Sequence, residues 1–115
     1  MREIRFRAWG THTKKMHSWA ELLNLNLPNI MRGSRYTGMV LMQYTGLKDR
    51  NGVEIYEGDI VVGAYHWQIV YAPEYGAWSL HDKNGIVDLL SDYDITNNNF
   101  IVIGNIYENP ELLNE

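Results

Sequence analysis

Cysteine is missing altogether from this 115-residue chain. Its absence excludes disulfide scaffolds, thiol nucleophiles and thiolate zinc sites together, and leaves stability to packing. No apolar run comes near the roughly 18 residues a spanning helix needs. The start MREIRFRAW alternates charge with bulk where a signal peptide would be apolar. The expectation is a protein of the cytoplasm with no membrane partner. There is no fixed-period repeat, no low-complexity segment, no Gly-rich phosphate loop, no nucleophile elbow and no Ser/His/Asp spacing. The sequence therefore calls for no catalytic residue and no cofactor.

What is present suits a globular domain. A chain of 13.4 kDa with 45% hydrophobic residues has the size of one domain, able to bury about two-thirds of its unfolded surface. Four Trp, eight Tyr and two Phe supply bulky core material. The net charge of -4 conceals an asymmetry: residues 1–35 carry seven bases against two acids, and residues 36–115 carry three bases against twelve acids. The two parts either neutralise each other within one fold, which is the favoured reading, or present a basic face to nucleic acid.

Residues 2–9 alternate, with Ile4, Phe6 and Ala8 on one face and Arg5, Arg7 and Trp9 on the other, the period of a half-buried strand. A turn over 10–14 and a returning strand over 15–19 complete a hairpin. Residues 20–27 read as a short helix or an irregular connection, and residues 26–37 as a loop. A strand follows over 39–44, then a small hairpin over 47–55. Its turn is signalled by Asn51-Gly52, where positive φ is needed. Turns at Gly58-Asp59, at 73–76 and at Lys83-Asn84-Gly85 separate strands over 60–65, 67–72 and 77–81, a meander. Residues 86–90 are strand or one helical turn, 96–99 a polar loop and 100–107 a strong strand. Asn109-Pro110 opens a short helical turn. Short strands with frequent turns argue for a closed or nearly closed small barrel, with an open Greek key as the alternative.

Three segments carry a family resemblance: Arg2-Glu3-Ile4-Arg5-Phe6-Arg7-Ala8-Trp9, the central LMQYTGLKDRNGVEIYEGDIV from Leu41 to Val61, and IGNIYENPELL from Ile103 to Leu113. In order and content they resemble the YopX family of small bacteriophage and prophage proteins. Together they make up about a third of the chain and span nearly its full length. Residues 22–35 and 62–99 carry no recognisable motif, and Gly10 stands where a polar turn residue such as Asp is expected. The resemblance implies a product of unknown biochemical role in the bacterial host cell, with a β-rich core similar to SH3-type barrels, and brings no catalytic residues. The expected architecture is mainly β: a single domain of a basic hairpin and loop extension over 1–35, an SH3-like barrel core over 36–115 and a short C-terminal helical turn.

Candidate chemistry is sparse. Glu57 and Asp59 flank Gly58 and could hold Mg²⁺ or act as acid and base, but turn chemistry, with the Asp closing on a backbone N–H, is the stronger reading. Asp49 and Asn51 are likewise hairpin-turn residues first. His12, His17, His66 and His81 show no convergent spacing, although His66 and His81 could meet across neighbouring strands. Arg5, Arg7 and Trp9 are the candidates for nucleic-acid contact, set against cross-strand pairing and ordinary packing. Tyr44, Tyr56 and Tyr107 suit a core edge or a protein-binding surface, with Tyr56 assigned to the core edge. The binding candidates are thus Arg5, Arg7, Trp9, Tyr44 and Tyr107.

The favoured function is a non-enzymatic binding or accessory module acting on an unknown host or phage protein, or by self-association. Nucleic-acid binding ranks second, and a metal-dependent enzyme built on Asp49, Glu57 and Asp59 third. The run Phe100-Ile101-Val102-Ile103 is apolar on both faces and so demands cover on both, which favours a homo-oligomer over a monomer.

Overall fold

Among the described residues, alternation and turn chemistry translate into nine strands. The computed structural model describes residues 4–24, 38–63, 65–85, 87–89 and 100–114. The strands are β1 (Phe6–Gly10), β2 (Lys15–His17), β3 (Met39–Lys48), β4 (Glu54–Tyr56), β5 (Asp59–Val62), β6 (His66–Ala72), β7 (Ala77–His81), β8 (Val87–Leu89) and β9 (Ile101–Asn105). One short helix, α1 (Trp19–Leu23), and a C-terminal 3₁₀ turn (Pro110–Asn114) are the other elements of the described residues. The fold class is mainly β, with the expected hairpin, barrel-type core and C-terminal helical turn. The loops expected over 26–37 and 96–99 lie outside the described residues. The chain divides into two compact units, Met1–Tyr44 and Thr45–Glu115, with the boundary inside β3.

In the first unit β1 lies between β2 and β3, antiparallel to both. A Cβ at Gly10 would collide with the Thr13 hydroxyl, so a larger residue there would require Thr13 to move. Ser18 settles the ambiguous segment as a helix. It closes a capping box in which its hydroxyl accepts from the Glu21 N–H, while the Glu21 carboxylate accepts from the Ser18 N–H. α1 then lays Leu22 and Trp19 over Phe6, Ala8, Met39 and Leu41, with the Phe6 and Trp19 rings 6.0 Å apart.

The second unit holds a five-stranded antiparallel sheet in the order β8-β7-β6-β5-β9, curled as a half-barrel. The β5-β6-β7 meander is the one read from sequence. Val61, Trp67, Ile69, Trp78 and Leu80 face inward with Ile55 of β4 and Phe100 to make the core, and Val102 packs at its margin. On the other face the 3₁₀ turn packs against β6 and brings Leu112 over Gly104, and Ile60 and Ser79 are fully buried.

β9 is shorter than expected because Asn105 turns the chain: its side-chain oxygen accepts from the Tyr107 and Glu108 N–H groups at 3.0 and 2.9 Å. Asn109, expected as a helix cap, instead points its side-chain oxygen back at the Asn105 N–H. The two-sided apolar run resolves through a register shift opposite Ile60 and Val61. Val102 lies inward and Ile103 is exposed on the single chain.

Candidate functional site

Of the carboxylates weighed as metal ligands, Asp49 and Asp59 are buried and engaged with backbone, and Glu57 is half-buried. Asp49 is only 4% exposed. Its Oδ1 accepts from the N–H groups of Asn51 and Val53 at 2.8 and 2.9 Å, and its Oδ2 accepts from Val102, 53 residues further on, at 2.9 Å. Its own N–H donates to the Val53 carbonyl, and the Arg50 N–H donates to the Phe100 carbonyl. The turn is thus a five-residue loop organised around one carboxylate, with Gly52 at φ 82° as its sequence requires. Asp59, also buried, accepts from the Tyr56 N–H at 2.8 Å, the turn chemistry expected of it. Among the described residues no group of three or more His, Asp or Glu is placed to hold a metal ion.

The histidines follow the same pattern. His17 Nδ1 lies 3.0 Å from Glu21 Oε2, and this hydrogen bond, ahead of that from the Ser18 backbone, lowers the Glu21 carboxyl below its ordinary 4.5. His66 stands opposite Val62 and His81 opposite Gln68, so the two occupy diagonal positions, not facing ones. His81 Nε2 meets Ser79 Oγ at 3.1 Å, a Ser-His contact that invites a catalytic reading. The geometry argues otherwise. Ser79 Oγ donates to the Val70 carbonyl at 3.0 Å and is fully buried, so its proton is directed at a main-chain oxygen and no substrate can reach it.

The candidates on the N-terminal strand lie together, but as packing. Arg5, Arg7 and Trp9 share a face with Val40, Met42 and Tyr44, because Arg7 pairs with Met42, Trp9 with Val40, and the Tyr44 N–H donates to the Arg5 carbonyl. The Arg5 guanidinium stacks 4.6 Å from the Tyr44 ring centroid, and Arg7 Nη2 reaches the Met42 sulfur at 3.8 Å. Trp9 is 8% and Tyr44 4% exposed. β1 therefore has buried residues on both faces, Ala8 on one and Trp9 on the other, with Phe6 and Arg7 half-buried before them. Alternation misleads here because arginine stems and stacked guanidinium planes pack against apolar neighbours while looking polar in sequence. Tyr107 sits half-buried in the turn after β9, and Tyr56 is buried as expected.

Among the described residues the most exposed aromatic side chains are ones absent from the sequence candidates. Tyr65, Tyr71 and Tyr75 are 68%, 42% and 64% exposed. The Tyr65 ring sits edge-on to Trp67 with centroids 6.2 Å apart, and Tyr71 edge-on to Trp78 at 5.2 Å, so β6 carries one such pair at each end. Tyr75 lies in the turn over 73–76, whose Gly76 is next to the Tyr71 hydroxyl. A signal was available: a tyrosine inside a four-residue turn has no route to a core.

Comparison with solved structures places the chain beside protein EF1440 from Enterococcus faecalis. That crystal structure is 28% identical, covers 98% of this chain and 99% of its own, and superposes with a TM-score of 0.69. Comparison with curated proteins gave no match. The family model described as YopX protein matches residues 24–114, which takes in the central and C-terminal segments of the resemblance and leaves the N-terminal one outside. With a match over most of its length and the central motif of β3 to β5 inside it, the chain belongs to the YopX family.

Proposed function

We propose that the protein is a non-enzymatic binding module, encoded by a phage or prophage and acting in the cytoplasm of the bacterial host, that uses the exposed tyrosines of its second unit to hold a protein partner. The observation that carries this reading is the exposure of Tyr71, held edge-on to the buried Trp78, and of Tyr75 in the turn that follows β6. Tyrosines held against a neighbouring ring lose little conformational freedom on binding and offer both an apolar face and a hydroxyl, the properties that enrich them at interfaces. The groups that could support chemistry, Asp49, Asp59, Ser79 and His81, are occupied with backbone or with each other. The burial of Trp9 and Tyr44 removes the stacking platform that a single-strand binder would need.

The test is affinity capture from induced host cells with the wild type and with the double variant Tyr71→Ser, Tyr75→Ser. A partner held by the first and lost by the second, at unchanged melting temperature, supports the reading. Equal capture by both removes it. A mobility shift with mixed-sequence DNA or RNA that weakens with salt would instead assign binding to the basic residues of the first unit.

A further inference from the structure

We propose that Asp49 is an edge guard that keeps this protein from pairing with a second copy of itself through β9. Among the described residues β9 is the last strand of its sheet, and such an edge offers N–H and C=O groups to any extended chain. Its sequence invites that pairing, since residues 100–103 are apolar, mostly β-branched and uncharged. The outward groups of β9 are met from within the unit at both ends. The Phe100 carbonyl accepts from the Arg50 N–H and the Val102 N–H donates to Asp49 Oδ2. Beyond the bulge, the Asn105 N–H faces Asn109 Oδ1 and the Asn105 carbonyl accepts from the Asn109 N–H. The curled sheet is thus sealed at this edge by side chains and turns in place of a further strand.

Asp49 is the member of this seal whose removal opens the edge. Its carboxylate holds the turn in shape with one oxygen and Val102 with the other, so truncation releases both sides at once. The wild type is expected to run as a monomer in light scattering at every concentration. Asp49→Ala is expected to give a mass that rises with concentration, and adding Ile103→Lys, at an exposed position on the same strand, is expected to return the monomer.

Asp49→Asn keeps one acceptor and loses the other. The Val102 amide should then exchange its hydrogen about tenfold faster or more, in a variant that stays folded. Thr45→Val removes the Thr45 hydroxyl bonds to the Ile55 carbonyl and the Leu47 N–H without touching β9, and it should remain monomeric. The proposal is overturned if Asp49→Ala is folded and monomeric throughout, or if Val102 exchange in Asp49→Asn is unchanged. It is equally overturned if Thr45→Val associates as strongly, or if the wild type forms an oligomer that Ile103→Lys abolishes.

Discussion

The two units use the same residue types in opposite ways. In the first, the aromatic and basic side chains of β1 and β3 are consumed by packing: Trp9 and Tyr44 are buried, Arg5 is stacked on Tyr44 and Arg7 rests on Met42. In the second, the buried positions go to Trp67 and Trp78, Tyr65 and Tyr71 are left in solvent beside them, and Tyr75 is exposed in a turn. The contrast teaches that the family-like segments, where Tyr44 and Tyr56 reside, supply structure. On the proposed reading the surface that meets a partner lies between residues 62 and 99, outside the segments that carry the resemblance, where partner choice can vary without touching the core.

The sharpest way to break the second unit is at its buried carboxylate. Asp49→Ala leaves the N–H groups of Asn51, Val53 and Val102 without their acceptor, and a loss of about 3 kcal/mol or more is expected in urea unfolding. A loss within error would mean that water replaces the carboxylate and that the seal is ornamental. The next effect concerns Gly52, at φ 82° with open space around it. Gly52→Val therefore strains only the backbone and should cost about 1 kcal/mol or more, read as a lower unfolding midpoint at unchanged slope. An unchanged midpoint would show that the turn adopts another conformation.

The smallest effect belongs to the first unit and depends on pH. The Glu21 carboxyl is lowered from 4.5, mainly by its hydrogen bond with His17 and next by that with the Ser18 backbone. A carboxyl depressed in the folded state adds stability that is complete above 4.5 and is lost as pH falls through the lowered value. Glu21→Gln should flatten the wild type's acid-side decline in melting temperature and leave its slope on the alkaline side alone. Matching acid limbs in the two proteins would place the carboxylate outside the helix cap.

Much of the fold was legible because local chemistry determined it. Asn51-Gly52 and Lys83-Asn84-Gly85 mark turns with a glycine at positive φ, and β7 occupies the span that alternation assigned to it. The Ser18 to Glu21 capping box is equally local, an S-x-x-E spacing directly after a strand whose alternation runs up to it. The bond from Asp49 to Val102 spans 53 residues, and no local pattern announces it. Of the site, alternation located the face shared by Arg5, Arg7 and Trp9, but period alone does not reveal whether a face bearing arginines is covered. Tyr75 could have been found from its place in a turn; Tyr71, on the inward face of its strand, could not, because its exposure follows from lying at the end of the core.

The most direct test of this contrast is hydroxyl-radical footprinting of the isolated protein, read by mass spectrometry residue by residue. Tyr65, Tyr71 and Tyr75 are expected to be modified rapidly and Trp9 and Tyr44 slowly. Addition of a partner captured by the wild type should protect Tyr71 and Tyr75 first. Rapid modification of Trp9 and Tyr44 in the folded protein, or partner protection confined to them, would contradict the account and return the binding surface to the first unit.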